Sequence, residues 1–418
     1  MMRKTLYAAI LAGLCAPLLL AGAGPDHPLT LDEALSLLRA NNAALAATRS
    51  QVKAIGANEI TAYLRPNPVA VFANEDFNVF NPGRFDIRNG QEFTDSVTQI
   101  FERGRKRALR LESARWSTRL AEMGYQDVER QLEFAVKTAF VTVLHAKSNL
   151  QLAEDSLRDY KETVRVNEVR LKAGDISPTE FQRIQVEQAS FERDVLDAQL
   201  ALSQSRIQLA SLLGIQKVPE TFDVAGELSA PELTLSADQL QVLALDHRPD
   251  YLAARDGVSK AESDVRLAQA NGATDVAVGS EYKRNGPDNT VGFTVSFPLR
   301  IFDRNQGEKA RARYQLESSQ SALTAAKTTV SSDIAQAYDA YRLALARARL
   351  YSGDYIGQAK QVRDRMQFSY RNGGTTILDY LDAVRRYREL ELSRRASYAQ
   401  VMNAIHLLSF VTGTEIKP

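Results

Sequence analysis

Apolar positions along this chain follow two periods, and the periods alternate. From Val128 the series Leu132, Ala135, Ala139, Ala146, Leu150, Ala153, Leu157, Tyr160 and Val164 advances mostly by threes and fours. A second series runs Ile334, Ala337, Tyr341, Ala344, Ala348, Tyr351 and Tyr355. A repeat near 3.5 residues predicts helices that supercoil on neighbours, and the many alanines let them approach closely. Prolines leave room for such helices. None falls between Pro82 and Pro178, between Pro178 and Pro219, or between Pro298 and Pro418. Period two takes over in short stretches. Val291, Phe293, Val295 and Phe297 alternate with Gly292, Thr294 and Ser296 until Pro298 ends the run, which predicts a strand with one apolar and one polar face.

The pattern is written twice. Leu29-Thr-Leu-Asp32 and Leu235-Ser-Ala-Asp238 open stretches that stay in step: Arg49 matches Arg255, Val52 matches Val258, Ala62 matches Ala268 and Glu75 matches Glu281. Further on, Ile100-Phe-Glu-Arg103 matches Ile301-Phe-Asp-Arg304. Lys172-Ala-Gly174 matches Arg371-Asn-Gly373, and Leu212-Leu-Gly214 matches Val411-Thr-Gly413. Repeats of this kind stack one supersecondary unit on another. The first unit, 24–228, predicts a helix Thr30–Tyr63, strands Val69–Phe77 and Ser96–Phe101, a long helix Gly104–Leu171 and a helix ending at Gly214. The second, 229–418, predicts a helix Ser236–Ala270 interrupted at Pro249, strands Thr274–Tyr282 and Thr290–Phe297, a long helix Arg304–Arg371 and a helix ending at Gly413. The long helices would span ~100 Å at 1.5 Å per residue. Two shorter helices end to end match one long one, which predicts a single layer of helices.

Four strands cannot close a barrel. Pooled from three chains they make twelve, an even count with no edge, above a matching tube of helices. The turn Asn285–Asn289 and the longer loop Asn78–Thr94 would then face outside. Arg3 and Lys4, the apolar stretch Leu6–Leu20 and Ala21-Gly-Ala23 predict an export signal over 1–23, cleaved after Ala23. Cys15 lies inside it, so the exported chain has no thiol, and Leu14 is a poor neighbour for an acylated cysteine. The 52 Lys and Arg against 51 Asp and Glu argue against a nucleic-acid binder. A mean hydropathy of −0.29 excludes a polytopic helical membrane protein but not a β-barrel.

Several segments resemble the TolC-type outer membrane efflux proteins, over essentially the whole exported chain. They are Leu29-Thr-Leu-Asp-Glu-Ala34, Arg248-Pro-Asp250, Val291–Leu299 running into Ile301-Phe-Asp-Arg-Asn-Gln-Gly307, and Tyr370-Arg-Asn-Gly-Gly-Thr-Thr-Ile-Leu-Asp-Tyr-Leu-Asp382. The junction Gln99–Arg107 looks like that of the heavy-metal, CzcC-like branch, although that branch usually carries Gly-Gly-Lys-Arg where this chain reads Arg103-Gly-Arg-Lys-Arg107. The resemblance implies a mixed α and β membrane protein of TolC-like fold, a homotrimer with a twelve-stranded barrel and an α-helical barrel. It implies an exit duct in the outer membrane of a Gram-negative bacterium, extending into the periplasm. A periplasmic adaptor and an inner-membrane pump, of RND type, would be its partners, with outer-membrane lipid around it. Metal ions or small toxic compounds would be the cargo. A duct for type I protein secretion, and a poreless periplasmic coiled-coil adaptor or scaffold, stay open as alternatives.

The same resemblance places Tyr370, Asp379 and Asp382 at the periplasmic aperture, with Glu180 at the corresponding place of the first unit and Gly174, Gly373 and Gly374 in the tip turns. Threefold symmetry would make each acid a ring of three carboxylates, the kind of ring that binds or selects cations. Carboxylates in the first turn of a helix also serve simply as caps. Thr375 stands where some relatives carry a gate arginine, so a salt-bridge latch is not expected. No catalytic set or cofactor site is predicted. His27, His145, His247 and His406 are far apart, and Gly373-Gly374 lacks the Gly-Lys-Ser/Thr of a phosphate loop. With no thiol and only Met123, Met366 and Met402 in the exported chain, a soft-metal relay is not supported.

Overall fold

Helix breakers and caps divide the chain. The computed structural model describes residues 27–75 and 91–417. The export signal, Cys15, Phe77 and most of the loop Asn78–Thr94 lie outside the described residues. In chain order the elements are α1 (Leu31–Asn41), α2 (Ala43–Tyr63), β1 (Val69–Glu75), β2 (Glu92–Phe101), α3 (Lys106–Ala173) and α4 (Pro178–Leu212). There follow α5 (Ala237–His247), α6 (Pro249–Asn271), β3 (Val276–Asn285), β4 (Asp288–Ser296), α7 (Gln306–Ser352), α8 (Asp354–Arg371) and α9 (Ile377–Thr412).

Two predicted helices are broken. The helix expected over Thr30–Tyr63 stops at Asn42, whose extended backbone and side-chain oxygen, accepting from the Leu45 N–H at 3.1 Å, cap α2. Asparagine prefers that place to a helix interior. Arg248, at the matching position of the second unit, has the same extended backbone between α5 and α6. The helix expected over Arg304–Arg371 breaks at Gly353, which is extended. Glycine weakens a helix interior by ~1 kcal/mol relative to alanine. The matching residue of α3 is Glu154, and α3 runs unbroken for 68 residues. Ile334, Ala337, Tyr341, Ala344 and Ala348 are buried as predicted, whereas Tyr355, beyond the break, is exposed. The second hairpin reaches further than predicted on both sides of its turn, because Gly286 (φ 57°) and Pro287 make a two-residue connection with Asn285 opposite Asp288.

The chain forms two compact units, which differ from the two sequence repeats. The first holds α1, the part of α3 from Thr142, α4 and the chain to Glu227. Its core includes Leu38, Leu144, Tyr160, Ile184, Leu209 and Phe222. Leu29 pairs with Val224, and Asp223 receives Lys147 at 2.5 Å and Arg206 at 3.0 Å. The second unit holds residues 42–141 and 228 onward. Leu240, Ile334, Tyr341, Val401 and Leu408 from α5, α7 and α9 form its helical core. There the Arg248-Pro-Asp250 motif acquires a structural role. Pro249 starts α6, and the buried Arg248 reaches Asp250 at 2.8 Å and Asp333 of α7 at 2.7 Å.

All four strands belong to the second unit and form one antiparallel sheet in the order β1-β2-β3-β4. The hairpins meet through β2 and β3, with Val97 opposite Ser280 and Gln99 opposite Val278. Pairing register puts Phe72, Val97, Val278, Tyr282, Val291, Phe293 and Val295 on one face.

Candidate functional site

Two helical turns and one sheet face carry the candidate chemistry. The turn of the second unit begins where α8 ends. Gly373 adopts φ 73° and its N–H donates to the Tyr370 carbonyl at 3.1 Å, while the Gly374 N–H donates to Ser369 at 2.8 Å. This pair of bonds is a Schellman stop, and the left-handed residue explains the first glycine. The next helix starts with a capping box: the Asp379 N–H donates to Thr376 Oγ1 at 3.2 Å, and the Thr376 N–H donates to Asp379 Oδ2 at 3.3 Å. The hydroxyls of Thr376 and Thr375 donate to the same Oδ2, at 2.7 and 3.1 Å. Those hydrogen bonds hold the Asp379 carboxyl below the usual aspartate range. Asp379 is therefore folded back on its own helix end. Asp382, one turn on, is exposed and has no ion-pair or hydrogen-bond partner among the described residues.

Tyr370 lies inside this turn, 3% exposed. Its ring stacks on Tyr380, also 3% exposed, with centroids 5.8 Å apart and planes at 7°. Such a pair contributes ~0.5–1.5 kcal/mol beyond its buried area and clasps α8 to α9. Sequence reasoning named Tyr370 and missed Tyr380. The available signal was an aromatic residue four positions past a capping threonine.

Gly174 and Glu180 belong to the other compact unit. Gly174 (φ 81°) donates to Leu171 at 3.0 Å and Asp175 to Arg170 at 2.9 Å, a second Schellman stop. Ser177 then caps α4 by accepting from the Glu180 N–H at 3.1 Å, with Pro178 in the first turn. Glu180 is the third residue of its helix, as Asp379 is of α9. Tyr160 and Phe191 brace this hairpin, stacked at 4.4 Å, and the Tyr160 hydroxyl donates to the Ile184 carbonyl at 2.9 Å.

The apolar sheet face is bare. Phe293 is 84% exposed, Phe72 80%, Val291 68% and Val295 63%, all on one side. The other side carries Thr94, Ser96, Thr98, Glu281, Lys283 and Thr294, with Lys283 paired to Glu92. The outermost strands β1 and β4 each pair on one side only, among the described residues. No described helix is long and apolar enough to cross a membrane. No group of metal-ligating side chains is found among the described residues.

The chain matches the family described as Outer membrane efflux protein over residues 91–215 and 240–409, well over half its length. It is 25% identical over 388 residues to the cobalt-zinc-cadmium resistance protein CzcC of Cupriavidus metallidurans, covering 92% of this chain and 90% of that one. It is 23% identical over 314 residues to the pyoverdine export outer membrane protein OpmQ of Pseudomonas putida, covering 72% of this chain and 66% of that one. Among solved structures, CusC superposes with a TM-score of 0.76 at 19% identity, over 92% of each chain.

Proposed function

We propose a working arrangement on one premise: the chain belongs to the outer membrane efflux protein family and is the outer-membrane exit duct of a tripartite efflux system. It is a conduit of the Gram-negative outer membrane and periplasm, not an enzyme. The arrangement is a homotrimer in which each chain gives four strands to a twelve-stranded barrel, and the duplicated units 24–228 and 229–418 give the helices of a periplasmic tube.

One observation carries this reading. Among the described residues, a four-stranded sheet has unpaired edges at β1 and β4 and a bare apolar face led by Phe72, Val291 and Phe293. In water both features are liabilities. In a membrane barrel the edges pair with neighbouring copies and the apolar face meets lipid, which removes both at once. The polar face of Thr94, Thr98, Glu281 and Thr294 then lines water. A poreless periplasmic adaptor has no use for such a face.

Tyr370, Asp379, Asp382 and Glu180, with the turns at Gly174, Gly373 and Gly374, form the periplasmic aperture in this arrangement. Their roles differ. Asp379 spends its carboxylate on the cap, and Tyr370 clasps the turn from within. Of the two acids on α9, Asp382 is the one left to face a passing ion, so its ring outweighs that of Asp379 in any cation selectivity. A periplasmic adaptor and an RND-type inner-membrane pump supply cargo and energy, and transit through the duct is passive. The relationship to a cobalt-zinc-cadmium resistance protein supports divalent metal ions as the cargo, ahead of other small toxic compounds.

Planar-bilayer recording of the purified protein tests the aperture. Asp382→Ala is expected to weaken block by divalent cations more than Asp379→Ala does. Unchanged block in the double variant would reject the ring.

A further inference from the structure

The junction between β2 and α3 holds a cleft that conduction does not use. It has a volume of about 480 Å³ and is lined by Arg65, Gln99, Phe101, Arg105, Lys106 and Arg107. Gln99 and Phe101 stand on the same sheet face as Val97 and Val278, the apolar one. Its one lining carboxylate, Glu102, is bound to Arg110, and Lys106 is committed to Asp275 at 2.7 Å and the Ala273 carbonyl at 2.8 Å. Arg65 and Arg105 have no ion-pair partner among the described residues, and Arg107 meets only the Tyr63 ring, at 5.0 Å. Three arginines therefore line or border one cleft, none of them in an ion pair among the described residues.

Two further observations point to an anion. The first turn of α3 lines the cleft through Lys106, Arg107 and Ala108, ahead of the first intrahelical bond from Leu109 to Arg105, so main-chain donors and the positive helix end add to the arginines. Arg105 also takes a left-handed backbone, φ 59°, where the second unit has Asn305 at φ 62°. Asparagine accepts that conformation readily and arginine does not. Arg105 keeps this backbone with no hydrogen bond, ion pair or ring contact for its side chain among the described residues, which leaves its charge available to the cleft. Exposed aromatics mark the level. Tyr63, Phe101, Phe297 and Phe302 gather where the strands give way to helices, the place of an aromatic girdle at a membrane boundary.

We propose that this cleft binds the phosphate headgroup of an anionic glycerophospholipid in the periplasmic leaflet of the outer membrane. Arg65, Arg105 and Arg107 grip the phosphate, with guanidinium forks suited to paired oxygens. The acyl chains run up the apolar sheet face past Phe101 and Val97. Lipid bound here fixes the depth of the barrel and steadies the joint between barrel and tube. The inference rests on the barrel reading above.

The test is native mass spectrometry of the full-length protein released from detergent, offered phosphatidylglycerol or phosphatidylcholine. The expected result is retention of phosphatidylglycerol in preference to phosphatidylcholine, falling about fivefold for each arginine removed. Arg105→Gly is the informative single variant, because glycine suits the left-handed backbone and leaves folding intact. Arg65→Gln and Arg107→Gln follow, with Arg158→Gln on the exposed face of α3 as a control expected to have no effect. Equal retention in the triple variant would overturn the site. Displacement of the lipid by millimolar inorganic phosphate would overturn it as a lipid site and make it one for free anions. A soluble chain that holds no lipid of either class would overturn the barrel reading and this site with it.

Discussion

The two helical hairpins are built alike at the base and differently at the tip. The first joins α3 to α4 and ends at Gly214. The second joins α7 and α8 to α9 and ends at Gly413. Both terminal glycines have φ near 74°, and at each a Cβ would sit 2.7 Å from main-chain atoms, Asn41 O in one case and Arg248 Cα in the other. The tips use different chemistry. The first is stopped by Gly174 and capped by Ser177 with Pro178. The second is stopped by Gly373 and capped by two threonines and Asp379. Over 155–196 the first hairpin carries seven Lys and Arg against nine Asp and Glu, whereas the matching 354–395 carries nine against six. The first has an unbroken helix above its tip, and the second has Gly353. Similar bases with dissimilar tips teach that the hairpins are anchored alike and differ in where they can bend. Bending is expected to concentrate in the second hairpin, at the break between α7 and α8 that α3 lacks.

Predictions follow from shared to unshared features. Gly214→Ala and Gly413→Ala should each destabilise their unit by ~3 kcal/mol, since a left-handed backbone and a close approach combine. Gly174→Ala and Gly373→Ala, with open space around both, should cost only ~1 kcal/mol. Denaturation in detergent checks the order. Equal effects at all four glycines would show that the bases are not tightly packed.

The second hairpin should carry one acid-sensitive group, a buried histidine, that the first lacks. His406 of α9 is pushed down to about 4 by burial, with Lys137 adding to the shift, and its Nε2 has no partner among the described residues. The matching residue of the first hairpin is Ile207. An unfolded histidine gains its proton near pH 6.5 while the folded one stays neutral. Stability therefore falls as pH drops from about 6.5 to 4, by ~3 kcal/mol in all, and levels off below. His406→Leu should flatten that slope in unfolding curves between pH 7 and 4.

At the tips, Thr376→Ala should cost ~1 kcal/mol and Ser177→Ala no more than that, because the Thr376 hydroxyl both accepts from and donates to Asp379. Amide hydrogen exchange in the first turns of α9 and α4 reads the two separately. Asp379 adds a pH dependence: its carboxyl lies below the ordinary value, so its support is present at neutral pH and lost as pH falls through the aspartate range. The smallest effect on stability is Gly353→Glu, which installs the first hairpin's residue. It should gain up to ~1 kcal/mol and lower the open probability of the channel in bilayer recordings. An unaltered open probability would remove Gly353 as the site of bending.

Much of this comparison is legible in the sequence, for local reasons. Gly174, Gly214, Gly373 and Gly413 stand just past helical patterns and before polar caps, and left-handed stops require them there. The alternation of Val291, Phe293 and Val295 fixes which face is apolar. What escapes sequence reasoning is local competition and distance. Asn42 and Gly353 sit within good helical patterns, and only the backbone shows that capping at one and extension at the other overcome them. The pairing of Gln99 with Val278 joins residues far apart in the chain, so the sheet order has no local signature. Asp379 belonged equally to a cap and to a gate on sequence grounds, and its hydrogen bonds settle the first use.

The central claim is that neighbouring copies join β4 of one to β1 of the next until three chains close a barrel. A double variant, Val71→Cys with Thr294→Cys, puts one thiol on each outer strand, on the same polar face. Treating the protein in outer membranes with bis-maleimides of graded length should produce a ladder of linked chains that ends at three on a denaturing gel. Links confined within single chains, or a ladder extending past three, would contradict it.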